Sequence, residues 1–509
     1  MSDATVAAAL RSASQLVVIE APAGCGKTFQ GAQYARDACA EINSGRVLIL
    51  THTHAACDVF ASRTLGFEKK VDIRTIDSLI ANITSVYHKA LGLPRDTGTW
   101  ARNNAPSGYH TLAQKAAALL RAAPFISTAL AQRYPIVICD EHQDANVFQH
   151  EVIMACHSAG AQLRIFGDPL QRIYGGRAKD EDTADEQRWN QLTTMGDVFE
   201  ELDEPHRWLD GSVELGRWIL EARASLRDGG KIDLRGKLPR GLSVIFAENN
   251  SPKQRGGYQV EPTERAPIDA VVNASTSLLV LSSQNDTVDA LRAFFNRRLP
   301  IWEGHVRESL SKLVIDSQKY KGHPDKLCGA TIAFIKNVST GFSDSAFARI
   351  LATEVAAGCT AKRRYKPATL QALGQLILDQ PDHRGVAALL KRLDELIATD
   401  TAFGSIHIDY RREFWDATQL IDFDDPDEAI AEMTRRRTYA RPTLPTKAIS
   451  TIHKAKGLEC SDVLVLPCDA QHFADNMTAR FCLYVAISRA TRSLTLVVSR
   501  QNQSPLLLL

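Results

Sequence analysis

The sequence predicts an α/β fold with two separate parallel sheets, each flanked by helices. Three observations carry this expectation. Apolar runs of strand length alternate with amphipathic stretches of helix length, the rhythm of parallel sheets covered on both faces. The rhythm occurs twice: Leu16–Glu20, Val47–Thr51, Ile136–Asp140 and Leu163–Gly167 early, then Leu278–Ser282, Ala448–Ile452, Val463–Pro467 and Leu494–Ser499 late. The chain has 509 residues, more than one core serves well, so two α/β domains fit its length.

Composition narrows the class. Hydrophobic residues make up 44% and charged residues 23%, as in ordinary soluble globular proteins. The 60 basic and 59 acidic side chains leave a formal net charge of +1, so nucleic-acid contact would rest on local basic surfaces and not on a global field. The cysteines follow no metal-binding spacing. Several, such as Cys139 and Cys482, lie in apolar runs, as small core residues of a reducing compartment do. No leader pattern and no apolar run near ~18 residues is seen, so a cytoplasmic location and no membrane span are expected.

The first element after Leu16–Glu20 is the run Ala21-Pro22-Ala23-Gly24-Cys25-Gly26-Lys27-Thr28, a loop that opens a helix. Gly24 and Gly26 let backbone N–H groups turn inward around a phosphate without a Cβ clash. Lys27 then reaches the β- and γ-phosphates of ATP, Thr28 offers a hydroxyl to Mg²⁺, and the helix N-terminus adds partial positive charge. Ala23 completes the cradle, and Ala21 stands where the general pattern has its first glycine. Cys25 reads either as a redox-sensitive thiol at a helix start or as a small residue that fits the loop.

The second chemical element is the strand Tyr134–Cys139 running into Asp140-Glu141-His142-Gln143-Asp144. A strand ending in two carboxylates suits Mg·ATP hydrolysis: Asp140 to hold the metal through its water shell, Glu141 to orient and deprotonate the attacking water.

The set of motifs resembles the UvrD-like superfamily 1A helicases. Asp140–Asp144 resembles their DExQD signature, and Gly167–Arg177 their motif III. Val47–Ala56 and Thr75–Leu79 are similar to motifs Ia and Ib, Thr451–Glu459 to motif V, and Tyr484–Ala490 to motif VI. The resemblance implies two RecA-like P-loop NTPase domains with mainly helical insertions: one over 1–86 and 126–203, interrupted by 87–125, and one over 204–301 and 446–509, interrupted by 302–445. It implies that Gln171 senses the γ-phosphate, that Arg207 and Arg489 face it from the second lobe, and that Gly457 and Glu459 lie at the nucleotide. It implies DNA-backbone contacts by Thr51, Thr53, Thr75 and His453, with Tyr174 in the base-stacking wall and Arg177 beside it. Such contacts are independent of sequence, as a motor stepping along single-stranded DNA or into a tailed duplex requires. The implied polarity is 3′ to 5′.

The chain departs from the family pattern at several places. Gly176 and His52 stand where large aromatics are usual, His206 replaces a tyrosine, and no adenine-reading glutamine precedes the phosphate loop. In size and layout the chain is also similar to the small helicase-like subunit of Gabija-type anti-phage systems, which implies a nucleotide- or DNA-sensing role beside a nuclease partner. In the second insertion, Lys362-Arg363-Arg364-Tyr365-Lys366 and Arg435-Arg436-Arg437-Thr438-Tyr439 read as duplex-phosphate contacts or as solvated faces. The terminal Ser504–Leu509 reads as a docking peptide, a frayed end or a segment packed on its own domain.

Overall fold

The computed structural model describes residues 2–104, 107–173, 179–251, 257–302, 308–426, 429, 433 and 444–509. The chain divides into two compact units, one formed by residues 1–287 and 451–509 and the other by 288–450.

In the first unit, β1 (Leu16–Glu20), β2 (Val47–Thr51), β3 (Val71–Thr75), β4 (Ile136–Cys139), β5 (Gln162–Gly167) and β6 (Val198–Glu201) form one six-stranded sheet in the order β3-β2-β4-β5-β1-β6. Every pairing is parallel. Successive side chains of a strand point to opposite faces, and here both faces are covered. Leu16, Val18, Leu48, Leu50, Val137, Cys139, Leu163 and Ile165 enter one core, while Val17, Ile19, Val47, Ile49, Ile136, Ile138 and Phe166 enter the other. This two-sided burial is why the strands read as continuous apolar runs. The helices Thr97–Asn103 and Gly108–Ala122 add Ala101, Leu112, Ala113, Ala116, Ala117 and Leu120 to the first of these cores.

The same unit holds β7 (Leu242–Phe246), β8 (Leu278–Ser282), β9 (Cys460–Cys468) and β10 (Ala490–Val498), paired in parallel in the order β8-β9-β10-β7. The helix Met477–Ile487 joins β9 to β10 and is buried from Ala479 to Ile487. The leucine-rich end packs on its own unit: Leu507–Leu508 pair with Ile232–Asp233, and Leu506 and Leu507 are buried. Because the strands run parallel, the loops that leave β1, β4 and β5 emerge at one edge of the sheet, where ligands of open α/β sheets bind.

The second unit is mainly helical. The helices Glu308–Lys319, Pro324–Val338, Arg349–Ala356, Tyr365–Asp379, His383–Thr399 and Arg411–Thr418 surround one core that includes Leu327, Phe334, Phe347, Leu351, Leu373, Leu390 and Phe414. The helix His383–Thr399 shows the cause: Val386, Leu389, Leu390, Leu393 and Leu396 recur every three or four residues and are all buried. Buried Asp409 anchors this unit's entry segment, forming ion pairs with Arg292 at 3.0 Å and with Arg297.

Candidate active site

The phosphate loop leaves β1 and enters the helix Lys27–Glu41. Gly24 and Gly26 take φ of +77° and +83°, a region that glycine enters without strain. A Cβ on Gly24 would lie 2.7 Å from the Arg207 Cβ and 2.8 Å from the Trp208 ring. The Arg207 N–H also donates to the Gly24 carbonyl at 3.0 Å. Cys25 is buried beneath the loop, and burial, reinforced by the Asp168 carboxylate, pushes its thiol up to about 12. The buried thiol fills space beneath the loop.

The loop after β4 lies one strand beyond β5 from the phosphate loop in the sheet. Asp140 is buried, and Glu141 takes a left-handed φ of 53° that turns the chain into the short helix His142–Asp144. Lys27 pairs with Glu141, and its Nζ lies 3.7 Å from Asp140 Oδ1. Gln143 donates to Glu141 Oε2 at 2.5 Å and accepts from the Asp168 N–H at 3.0 Å. Burial works against a charged Glu141, yet the ammonium groups of Lys27 and then Lys456 outweigh it and hold the carboxyl down at about 2. Burial pushes Asp140 the other way, to about 6, against the pull of Lys27. Asp140 Oδ1 is buried and has no hydrogen-bond partner among the described residues. With the half-buried Thr28 hydroxyl at the helix start, this gives an oxygen-only donor set, which fits a hard divalent cation such as Mg²⁺.

Behind these groups lies a buried polar hub. Gln171 donates to Asp168 at 2.9 Å, and Tyr484 donates to the same carboxylate at 2.9 Å while accepting from the Ala23 N–H of the phosphate loop at 2.8 Å. Arg223 reaches Asp168 at 2.9 Å and Glu201 at 3.1 Å, and also holds Glu20 at the end of β1. Lys456 extends to both oxygens of Asp144, at 2.7 and 2.5 Å, and to the Gln171 carbonyl at 2.8 Å. One network thus runs from the phosphate loop through the hydrolysis turn to segments that flank β9 and β10.

Two comparisons with known proteins bear on this geometry. A family model described as an AAA domain matches residues 4–177, and one described as a UvrD-like helicase C-terminal domain matches residues 448–497. The first match contains the phosphate loop and the Asp140–Asp144 turn; the second contains Lys456, Tyr484 and Arg489. Together the two matches point to a UvrD-like superfamily 1 helicase. A search among curated proteins finds no match. The two matched domains are those of P-loop NTPases of the nucleic-acid-dependent ATPase and helicase class, and the first implies nucleotide binding. No helix among the described residues is long and apolar enough to cross a membrane.

The remaining residues expected at the site divide into two groups. Arg207 pairs with Glu459 at 2.7 Å and donates to the Ser488 carbonyl at 2.7 Å, at the rim of the phosphate loop. Gly457 takes φ +82° two residues before Glu459. Arg489 is buried and donates to Val485 O at 2.9 Å, Leu458 O at 3.2 Å and Ser488 Oγ at 2.8 Å. Burial, with the neighbouring Arg207, lowers it to about 10. On the side expected to meet DNA, Thr53 and Thr75 cap helices by accepting from Ala56 N and Ser78 N, both at 3.2 Å. Thr51 is wholly buried, with its hydroxyl donating to the Thr53 carbonyl at 3.0 Å. His453 is half-buried, and burial lowers its pKa. Tyr174, Gly176, Arg177 and the Arg435–Tyr439 cluster lie outside the described residues.

Sequence reasoning missed the hub partners. Asp168, Tyr484, Lys456 and Asp144 stand inside the motifs already singled out, but polar residues within a motif do not reveal which of them bond to each other. Arg223 carried a signal of its own: it interrupts the apolar face Leu215, Ile219, Ala222 and Leu226 of the helix Val213–Arg227. A charge on a buried stripe implies a buried partner.

Proposed function

We propose that this chain is an ATP-driven translocase that moves 3′ to 5′ on single-stranded DNA and separates duplex ahead of it. The observation that carries the reading is Lys456, whose ammonium joins Asp144 of the hydrolysis turn to the Gln171 carbonyl. A change at the nucleotide is felt along this bridge by segments that the family uses on DNA.

In this reading Lys27 holds the β- and γ-phosphates, and the phosphate, carrying more charge than a carboxylate, takes Lys27 from Glu141. Glu141 is then left, steadied by Gln143, to orient the attacking water and accept its proton. Asp140 and Thr28 would hold Mg²⁺, which when bound neutralises charge on the phosphate oxygens. Arg207 exchanges Glu459 for the γ-phosphate, and Arg489 adds positive potential beside it. Tyr484 keeps the Ala23 N–H fixed in the loop.

The test uses strand separation of duplexes with a 3′ or a 5′ single-stranded tail. Unwinding of the 3′-tailed duplex alone, abolished in Glu141→Gln, is the expected result. ATP hydrolysis that appears only with a nuclease partner, without unwinding, would replace this reading with a regulatory one.

A further inference from the structure

The second unit carries a short strap, Ala361–Lys366, that precedes and enters the helix Tyr365–Asp379. Its residues divide sharply between anchors and outward groups. Gln371 donates to the Ala361 carbonyl at 2.8 Å and to Glu354 Oε2 at 3.0 Å. Arg363 donates to the other oxygen of that buried carboxylate at 2.6 Å, so both Glu354 oxygens are bonded and its charge is paired. Lys366 lies 3.5 Å from the centre of the Phe347 ring, with the Asp400 carboxylate as its acidic neighbour. Between these anchors Lys362 and Arg364 are exposed, and neither forms an ion pair among the described residues. Tyr365 is 89% exposed and sits at φ 56°, a region that bulky residues rarely occupy.

A solvated basic face needs neither the left-handed backbone nor an aromatic ring held in water. We propose that the strap is a binding surface for an unpaired nucleic-acid strand, in which a base stacks on Tyr365 while Lys362 and Arg364 take the adjoining phosphates. The ring supplies a stacking platform that every base fits, and the two exposed cations supply charge complementarity that tracks a backbone. A duplex offers phosphates to the cations but no open base face to the ring, so the strap favours single strands. The surface lies within one compact unit and stands apart from the hydrolysis residues in the sequence.

The test uses the full chain with an oligothymidylate that carries 5-iododeoxyuridine, a matching oligouridylate and a blunt duplex. Ultraviolet cross-linking followed by peptide mapping is expected to mark Tyr365, with the DNA and RNA arms showing which sugar is preferred. Tyr365→Ala should raise the single-strand Kd by about fivefold or more, and Tyr365→Phe should restore it. Lys362→Ala and Arg364→Ala should each reduce the salt slope of binding by about 0.7. A wild-type map without an adduct at the strap, or an unchanged Kd in Tyr365→Ala with its melting temperature intact, would overturn the proposal. Equal weakening of single-strand and duplex binding would overturn it as well. An adduct at Tyr365 in a chain whose ATPase ignores DNA would keep the strap and remove only the motor reading.

Discussion

Lys27, Glu141 and Lys456 show how three charges set the behaviour of the site. Glu141 is the group expected to accept the proton of water, so Glu141→Gln should lower ATP turnover by about 10²- to 10⁴-fold. Binding of a fluorescent ATP analogue should survive, because the phosphate contacts come from Lys27 and the loop. Lys456 is a different case, since it neutralises Asp144 where both side chains are largely buried. Lys456→Ala leaves that carboxylate without its ammonium and should destabilise the fold by about 3–5 kcal/mol in denaturant melts. Adding Asp144→Leu should recover most of the loss, since replacing both members of a buried pair removes the stranded charge. The chemical residues were legible in the sequence because the loop and the carboxylate pair each need fixed residue types at fixed spacing. The bridging residues were not, because a bridge is decided by which loops the sheet order brings together.

At the scale of elements, the phosphate loop works by close approach. Gly24→Ala puts a methyl 2.7 Å from the Arg207 Cβ in a backbone region that alanine avoids. It should cost about 1–3 kcal/mol of stability and weaken nucleotide binding, both measurable in one thermal-shift titration with ATP. A second element-level expectation concerns β9. Burial of Asp462 is outweighed by Arg492 at 2.7 Å and Ser493 at 2.8 Å, which lower its pKa. A lowered carboxylate stabilises the fold fully above its unfolded value of about 3.9 and loses that contribution as pH falls through the folded value. The stability gap between wild type and Asp462→Asn, about 1 kcal/mol at pH 7, should therefore close as melts are taken from pH 5 towards pH 3. The sheets also show what the sequence concealed. All the strands read from apolar runs are present, whereas β3, β6 and β7 were not anticipated. Each of these is an edge of its sheet in the first unit. Edge strands pair on one side only, and here β3 carries Asp72 and Arg74 and β6 ends in Glu200 and Glu201. The apolar signal that marks a central strand is diluted there.

For the whole molecule, the division at 288–450 makes a concrete expectation. That unit has its own core, built from the faces of six helices, and its boundary charges Arg292, Arg297 and Asp409 are paired internally. Expressed alone, residues 288–450 should give a helical circular dichroism spectrum and a single cooperative melt. The unit 1–287 with 451–509 carries the phosphate loop, the hydrolysis turn and all but residues 448–450 of the two segments that the family models match. The proposed role as a DNA motor stands on one dependence: the network from Ala23 through Asp168 and Gln171 to Lys456 should make hydrolysis respond to a bound strand. The direct measurement is steady-state ATP hydrolysis by the full chain with and without a single-stranded oligonucleotide, with Glu141→Gln as the blank. Stimulation of tenfold or more over the DNA-free rate is the predicted result. A rate that is the same with and without DNA, and still lost in Glu141→Gln, would show an ATPase that no strand drives and would contradict the account.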